Sequence, residues 1–479
     1  MEIYMGKKKW CPILIAALLL AGCGSDGVKN REPEEAQTAG VDSTGANDTE
    51  NGTADDTETN GQKDDVTGSV GGQENGNAGT DAADGQDDGV PDDAESELPA
   101  DGMQAPPTDY VTEELYASAD QWDSCDDAAL AAVMRKAEAG EPVTIACIGG
   151  SITQGTISNG SDDSGVADKK CYADLFFSWW EQTFPDTELT FINAGIGATD
   201  SYIGVHRVQR DVLDHHPDLV LVEFSVNDAD SPTFKTAYDN LVRRILLADN
   251  HPAAMLLFMG QTNGATAQGS HVLVGFNYKL PMISYASLIQ DMMTQGVYAA
   301  EQLSGDEVHP SALGHAVTGE ILWKYLNAVY AQRGELPEPQ EFTAKPVTSE
   351  RYLNASILDR ETIVPTEYGS FEESSKFQPF PNDWTCESGE GGIIFEADFQ
   401  RLGILYHRTV DGLSGQFDVF VDGERVSTLN ADFSGGWGNC ADAREVYAGE
   451  SVEHHTVEIR KSPDSTGDVF TILGLMAAQ

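Results

Sequence analysis

The chain has 479 residues, with 79 Asp and Glu against 28 Lys and Arg, for a formal net charge of −51. That length fits two or three domains. No dense basic run occurs outside Lys7–Lys9, so a phosphate backbone would find no cationic surface, and nucleic acid is excluded as a partner.

The acid is unevenly spread. Between Gly24 and Ala105, 22 acidic residues face only Lys29, Arg31 and Lys63, a net of −19 over 82 residues. No aromatic residue and no isoleucine occurs from Gly24 to Asp109. Such a stretch cannot bury enough apolar surface to offset its ordering entropy. Residues 23–109 are therefore expected to form a disordered acidic linker.

Ahead of it, Lys7, Lys8 and Lys9 precede a short apolar run from Pro12 to Leu20. A basic start, a short greasy core and small residues make a secretory signal over 1–22. A run of about 10–12 residues is too short to span a bilayer. The end of that run, Leu20-Ala21-Gly22-Cys23, resembles the lipobox of bacterial lipoproteins. The resemblance implies that Cys23 becomes the mature N-terminus and carries thioether-linked diacylglycerol. The protein is then expected at the cell surface, anchored by lipid to the outer face of the cytoplasmic membrane. Acyl chains supply roughly 0.8 kcal/mol per buried methylene, so two or more hold firmly. The acidic stretch becomes a leash with a root-mean-square span of roughly 50 Å, extended further by its own charge.

Cys125, Cys147, Cys171, Cys386 and Cys440 remain. Outside the cytoplasm a disulfide is allowed, and Cys386–Cys440 is a conceivable pair. Cys147 sits in an apolar run and reads as a small buried hydrophobe. No CxxC or His-rich spacing points to a metal, and no cofactor is expected.

From Val143 onward, strands alternate with helices. Val143–Ile148 is a short β-rich run closed by Gly149-Gly150. An aromatic helix is predicted over Tyr172–Thr183, a strand over Leu189–Asn193 and a polar helix over Tyr202–His215. Asp218–Phe224 is a third strand, Phe234–Ala248 a helix, Ala253–Met259 a fourth strand and Lys279–Ser284 a fifth. A final helix covers Ser311–Tyr330. Such alternation predicts a parallel sheet covered on both faces, with the active site at the carboxyl ends of the strands.

Four chemistry-bearing pieces fall at those ends. Ser151 follows Gly149-Gly150, where the backbone turns sharply and can expose a nucleophilic hydroxyl. The run Asn193-Ala194-Gly195-Ile196-Gly197-Ala198 frees backbone N–H groups before a helix, an anion-binding feature. Asn227 carries an amide able to donate to developing negative charge. In Asp306-Glu307-Val308-His309-Pro310, a carboxylate three residues before a histidine can hold one imidazole nitrogen and leave the other free to take a serine proton.

In this order the blocks resemble those of the SGNH (GDSL-type) hydrolases, over roughly Pro142 to Arg333. The resemblance implies a flavodoxin-like three-layer α/β/α catalytic domain over 110–333 and serine ester hydrolysis. It implies Ser151 as nucleophile, His309 as general base and Asp306 as its partner. The oxyanion hole would comprise Ser151, Asn227 and either Gly197 or Ala198. Two positions depart from the family pattern. Gly150 replaces the aspartate of the Gly-Asp-Ser motif, and Ser225 replaces the glycine of the third block.

Other polar residues have plainer readings. Asp200, Asp228 and Glu223 read as caps or pocket hydrogen bonders, Trp179-Trp180 as core, and His271 and Gln268 as residues that do not touch substrate. His215-His216 ends a helix, where positive charge suits the dipole.

Gly334–Gln340 reads as a linker. Beyond it, over 341–479, come the alternating runs Gly392–Ala397, Leu402–His407, Gln416–Asp422, His455–Arg460 and Val469–Gly474. Short strands without a long helix predict an all-β sandwich, similar in pattern to the jelly-roll modules beside secreted carbohydrate esterases. Trp384 and Trp437 could stack on sugar rings or fill the core. The functional expectation is an esterase acting on an acylated carbohydrate, most naturally its O-acetyl groups. A lipid acylhydrolase or thioesterase, a glycan O-acetyltransferase, and a non-catalytic glycan-binding lipoprotein are the alternatives.

Overall fold

The computed structural model describes residues 109–479, apart from 123–124, 162–165, 167–169 and 434–437. The expected signal segment, Cys23, the acidic leash and Trp437 lie outside the described residues.

Helices α1 (Glu113–Ala119) and α2 (Ala128–Glu138) precede strand β1 (Val143–Gly149). One-turn helix α3 (Ser151–Gln154), α4 (Tyr172–Thr183), β2 (Leu189–Gly195), α5 (Ser201–Asp211) and β3 (Leu219–Glu223) follow. Then come α6 (Pro232–Leu246), β4 (Ala253–Phe258), α7 (Gln268–Tyr278), β5 (Met282–Ser284), α8 (Tyr285–Thr294), α9 (Ala300–Leu303) and α10 (Ala312–Gln332). The five strands pair in parallel in the order β2-β1-β3-β4-β5. This is the flavodoxin-like order, whose reversal beside β1 opens a crevice at the carboxyl ends.

β3 and β4 are buried along their whole length and β1 nearly so, as their unbroken apolar sequences require between two helical layers. One core joins β1, β3 and β4 to α2, α4, α8 and α10. In it Trp179 and Trp180 pack edge to face, and Trp323 Nε1–H donates to Leu175 O at 2.7 Å. The other core lies under α5, α6 and α7.

The C-terminal part has strands β6 (Ala355–Leu358), β7 (Phe371–Ser374), β8 (Asp383–Cys386), β9 (Gly392–Arg408), β10 (Gln416–Val421), β11 (Glu424–Asn430), β12 (Cys440–Lys461) and β13 (Phe470–Ala478). They form one antiparallel sheet, β11-β10-β12-β9-β13-β8-β7, with β6 beside β13. The two runs 392–397 and 402–407, expected as separate strands, are halves of β9. Its first half pairs with the second half of β12 and bridges to Glu367 through Ile394, and its second half pairs with the first half of β12 and with β13. Register shifts in β12 between Glu445 and Tyr447 and between Ala448 and Glu453 mark where the sheet bends. The sheet folds over itself. Phe417 of β10 stacks on Phe470 of β13 at 4.5 Å, and Trp384 of β8 meets Phe395 of β9 edge to face at 5.1 Å. The expected sandwich thus forms from one bent sheet, and Trp384 is core.

The disulfide conceived between Cys386 and Cys440 does not form. Cys386 lies on β8 and Cys440 on β12, with β13 and β9 between them. Three strand spacings of about 4.8 Å put the pair about 14 Å apart, whereas a disulfide needs Cα atoms within about 7 Å. All five described cysteines are free thiols.

The two parts share a core. Tyr352, Phe380, Leu405, Ala441, Leu473 and Met476 pack with residues of α5 and α6. After α10 the chain lies back over the α/β layers. Thr348 N–H donates to Asp239 at 2.7 Å, Asn240 Nδ2 to Ser349 O at 2.7 Å and Asn277 Nδ2 to Lys345 O at 2.7 Å. Arg244 Nη1 bonds both Val205 O at 2.5 Å and Ala355 O at 2.6 Å. A Cβ built at Gly403 of β9 would stand 2.4 Å from the hydroxyl of Tyr202 on α5. Gly403→Val should therefore wedge the two parts apart at a cost of about 1–3 kcal/mol. Scanning calorimetry is expected to show a lower melting temperature and a broadened transition; an unchanged single peak would contradict the account.

Candidate active site

Three chain segments meet at the carboxyl ends of β1, β2 and β3. β1 ends in two glycines, and Ser151 opens α3. A Cβ at Gly150 would lie 2.4 Å from Asn227 Oδ1. At this glycine, which stands where the family pattern has aspartate, the Asn227 side chain packs directly against the backbone. On the other side, a Cβ at Gly197 would stand 3.9 Å from Ser151 Cβ. Gly197 therefore flanks the hydroxyl. Ala198 turns the chain through a left-handed conformation, φ 61°.

Ser151 Oγ lies 2.8 Å from His309 Nε2, and His309 Nδ1 lies 2.7 Å from Asp306 Oδ2. Asp306 is held at both oxygens. Its Oδ1 accepts the N–H of His309 at 2.7 Å and of Val308 at 3.0 Å. Partial burial pushes its carboxyl up, but the hydrogen bonds from the His309 ring and from these backbone groups outweigh burial and hold it below the usual carboxylate range. The histidine loop is pinned from outside. Ser158 Oγ and Ser304 Oγ both donate to His309 O, at 2.6 and 2.7 Å.

Among the described residues, no acceptor takes the N–H of Ser151, Gly197 or Ala198 or the side-chain NH2 of Asn227, and Asn227 Oδ1 is buried without a partner.

A set of buried polar residues holds the loops in register. Arg207 of α5 is fully buried. Its Nη2 donates to Gly149 O at 2.9 Å, its Nη1 to Ala194 O at 2.7 Å, and Asp211 balances it at 3.0 Å. It ties the end of β1 to the end of β2. Asp228 ties the loop after β3 to α5. Its Oδ1 accepts Ser201 N–H at 2.8 Å, and its Oδ2 pairs with His271 Nε2 at 3.0 Å. His271 in turn stacks on Tyr238 at 3.5 Å. Asp200 caps α5 by accepting Ile203 N–H at 2.9 Å. Burial and the neighbouring Asp228 push its carboxyl up to about 7. So Asp200 and Asp228 are a cap and a pocket hydrogen bonder, as the sequence suggests, and buried His271 does not line the site. Gln268 bonds Ser287 at 3.1 Å. Arg207, Ser158, Ser304 and the Asp228–His271 pair were not singled out in these roles from sequence. Each acts through a partner distant in the chain, which no local pattern announces.

Glu223, at the end of β3, is also fully buried beneath α3 and accepts Thr153 Oγ1–H at 3.3 Å. Burial pushes its carboxyl from 4.5 up to about 8. The native state then keeps a proton that the unfolded chain has released, so stability falls as pH rises from about 4.5 to about 8. Glu223→Gln should remove this decline. Melting temperatures of both proteins from pH 5 to pH 8 are expected to diverge, the variant gaining on the wild type; parallel curves would refute it.

A serine, a histidine and an aspartate bonded in series at the carboxyl ends of a 2-1-3-4-5 parallel sheet have the geometry of a serine-type hydrolase. The profile of the GDSL-like lipase/acylhydrolase family matches residues 147–317, a span that includes Ser151, Gly197, Asn227, Asp306 and His309. A two-domain esterase (CEX) active on acetylated mannans is 30% identical, over 76% of this chain and 98% of its own, with a TM-score of 0.68. A structure of such an esterase co-crystallized with mannopentaose gives 29% identity, the same coverage and a TM-score of 0.66. No curated protein sequence matches significantly. The chain belongs to the GDSL-like lipase/acylhydrolase family and is an SGNH-type ester hydrolase.

Proposed function

We propose that this protein is a surface-tethered carbohydrate esterase that removes O-acetyl groups through a Ser151–His309–Asp306 triad. The observation that carries the proposal is the unbroken line from Ser151 Oγ through His309 to Asp306, at 2.8 and 2.7 Å. The substrate class is supported by the 30% identical esterase, which is active on acetylated mannans. Export and anchoring rest on the signal segment and on Leu20-Ala21-Gly22-Cys23.

His309 Nε2 takes the Ser151 proton as Oγ attacks the acetyl carbonyl, while Asp306 holds Nδ1–H and stabilises the imidazolium. The carbonyl oxygen becomes an oxyanion. The unclaimed donors receive it: Ser151 N–H, the N–H of Gly197 or Ala198, and the Asn227 amide. His309 then gives its proton to the departing sugar oxygen, leaving acetyl-Ser151 and a free hydroxyl. Water, deprotonated by His309, attacks the acetyl-enzyme, and acetate leaves as Ser151 regains its proton.

Ser151→Ala should abolish acetate release from acetylated mannan and from an aryl acetate. An unchanged aryl acetate rate in that variant would end the assignment. Asn227→Ala is expected to keep the melting temperature and lose a factor of about 10² to 10³ in kcat. Acetate from an acetylated glycan with no fatty acid from triglyceride is the expected substrate pattern, and the reverse would replace carbohydrate with lipid.

A further inference from the structure

The loop after β4 and the helix after β5 carry a polar surface that the triad does not use. Beyond β4 the chain passes through Gln261, Thr262 and Asn263. Thr262 N–H donates to Glu307 O at 3.0 Å, and Asn263 Nδ2 donates to Glu307 Oε2 at 3.3 Å. Glu307 lies between Asp306 and His309 and adopts a left-handed conformation, φ 71°, unusual for a residue with a side chain. One end of this surface is thus fastened to the loop that carries His309.

At the other end, Gly264 borders a depression of about 490 Å³ lined by Ser118, Gln121, Gln268, Ser287, Gln290 and Asp291. That size falls within the roughly 300–1,000 Å³ of small-molecule sites. Its polar lining is mostly amides and hydroxyls, with one carboxylate and no Lys or Arg. The side chains hold one another in place. Gln121 Nε2 and Gln268 Nε2 both donate to Ser287 Oγ, at 3.0 and 3.1 Å. Gln290 Nε2 reaches the carbonyls of Gln261 and Thr262 at 3.3 and 3.4 Å, which joins the depression to the loop beside Glu307. Among the described residues, Gln121 Oε1, Gln290 Oε1 and Asp291 Oδ1 receive no donor. Fixed, unclaimed acceptors suit a ligand that presents several hydroxyl donors at once.

We propose that this depression is a saccharide subsite. It would bind an uncharged sugar residue of the same glycan chain whose acetyl group stands at Ser151. The inference rests on the carbohydrate reading above and adds where the chain runs and which chains are accepted. Asp291 and Glu307 have no lining cation to offset them, and the protein carries a net charge of −51. Uronic acid polymers are therefore repelled at long range and unpaired at contact. The neighbouring depression across Thr266 combines Leu273, Val274 and Val347 with the Lys235–Asp230 ion pair, so it lacks the run of neutral amides and hydroxyls that lines this one.

The test uses the full chain with Ser151→Ala, so that binding is read without turnover. Calorimetric titration is carried out with mannopentaose, xylopentaose and a galacturonate pentamer. At least one neutral probe is expected to bind, and the galacturonate is expected not to saturate. On the same background, Gln121→Ala and Gln290→Leu should each weaken the neutral probe about tenfold, or ~1.4 kcal/mol. Gln121 is exposed beyond the end of α1, so its variant keeps the test readable if Gln290→Leu fails to fold. Unaltered affinity in Gln121→Ala, equal binding of galacturonate, or no binding of either neutral probe overturns the subsite. Acetate release by the wild type from acetylated glycans is measured alongside. If it occurs while the variants bind as before, the subsite alone falls; if no glycan is deacetylated, the carbohydrate reading falls with it.

Discussion

The site depends on one buried cation. Arg207 has no exposure, yet it reaches the last carbonyl of β1 with one guanidinium nitrogen and a terminal carbonyl of β2 with the other. Those two carbonyls precede the loop of Ser151 and the loop of Gly197 and Ala198. A planar fork with fixed nitrogen positions sets their separation in a way a flexible ammonium would not. The arrangement is costly to desolvate, and Asp211 at 3.0 Å offsets part of that cost. Removing such a charge's partner typically costs about 3–5 kcal/mol, so the register of the two loops is strongly held.

From this brace the other contacts fall into order. Asp228 carries the constraint from α5 to the loop of Asn227, and His271 holds Asp228 from behind. Ser158 and Ser304 place the carbonyl of His309 from the opposite side. The loops of Asn227 and His309, on either side of the Ser151 hydroxyl in the proposed mechanism, are thus each held by side chains distant in the chain. In the proposed mechanism, such preorganisation is what makes hydrogen-bond donors effective at a developing oxyanion.

Much of this was legible in the sequence. The unbroken apolar runs of β1, β3 and β4 specify strands buried on both faces, and the long apolar stretch of α10 specifies a core helix. Ser151, Asn227, Asp306 and His309 could be picked out because each stands at a strand end or in a stiffened loop. The second helix on the β4 side was not legible. α7 contains Gly269, Gly275 and β-branched valines, and its helical state is imposed by packing rather than by propensity. β9 reads as two strands because Asp398, Gln400 and Arg401 interrupt its apolar runs where the sheet bends. The disulfide expectation failed for a related reason: the order of strands in a sheet is a tertiary property, and two intervening strands do not show in spacing along the chain. Arg207 was hidden because a charged residue on a helix that also carries His206, Gln209 and Arg210 reads as part of its solvated face.

The segment that crosses from α10 to β6 is stitched to α6 and α7 by backbone and side-chain bonds, and Tyr352 near its end is buried against α5. The catalytic layers consequently have no finished surface of their own on that side. Cutting the gene after residue 333 would strip Tyr202, Val205 and Ile245 of their cover and yield a sticky fragment. An exchange of the C-terminal part for an unrelated module would leave that side of the α/β layers unpaired, so the two parts can be altered only as one joint frame.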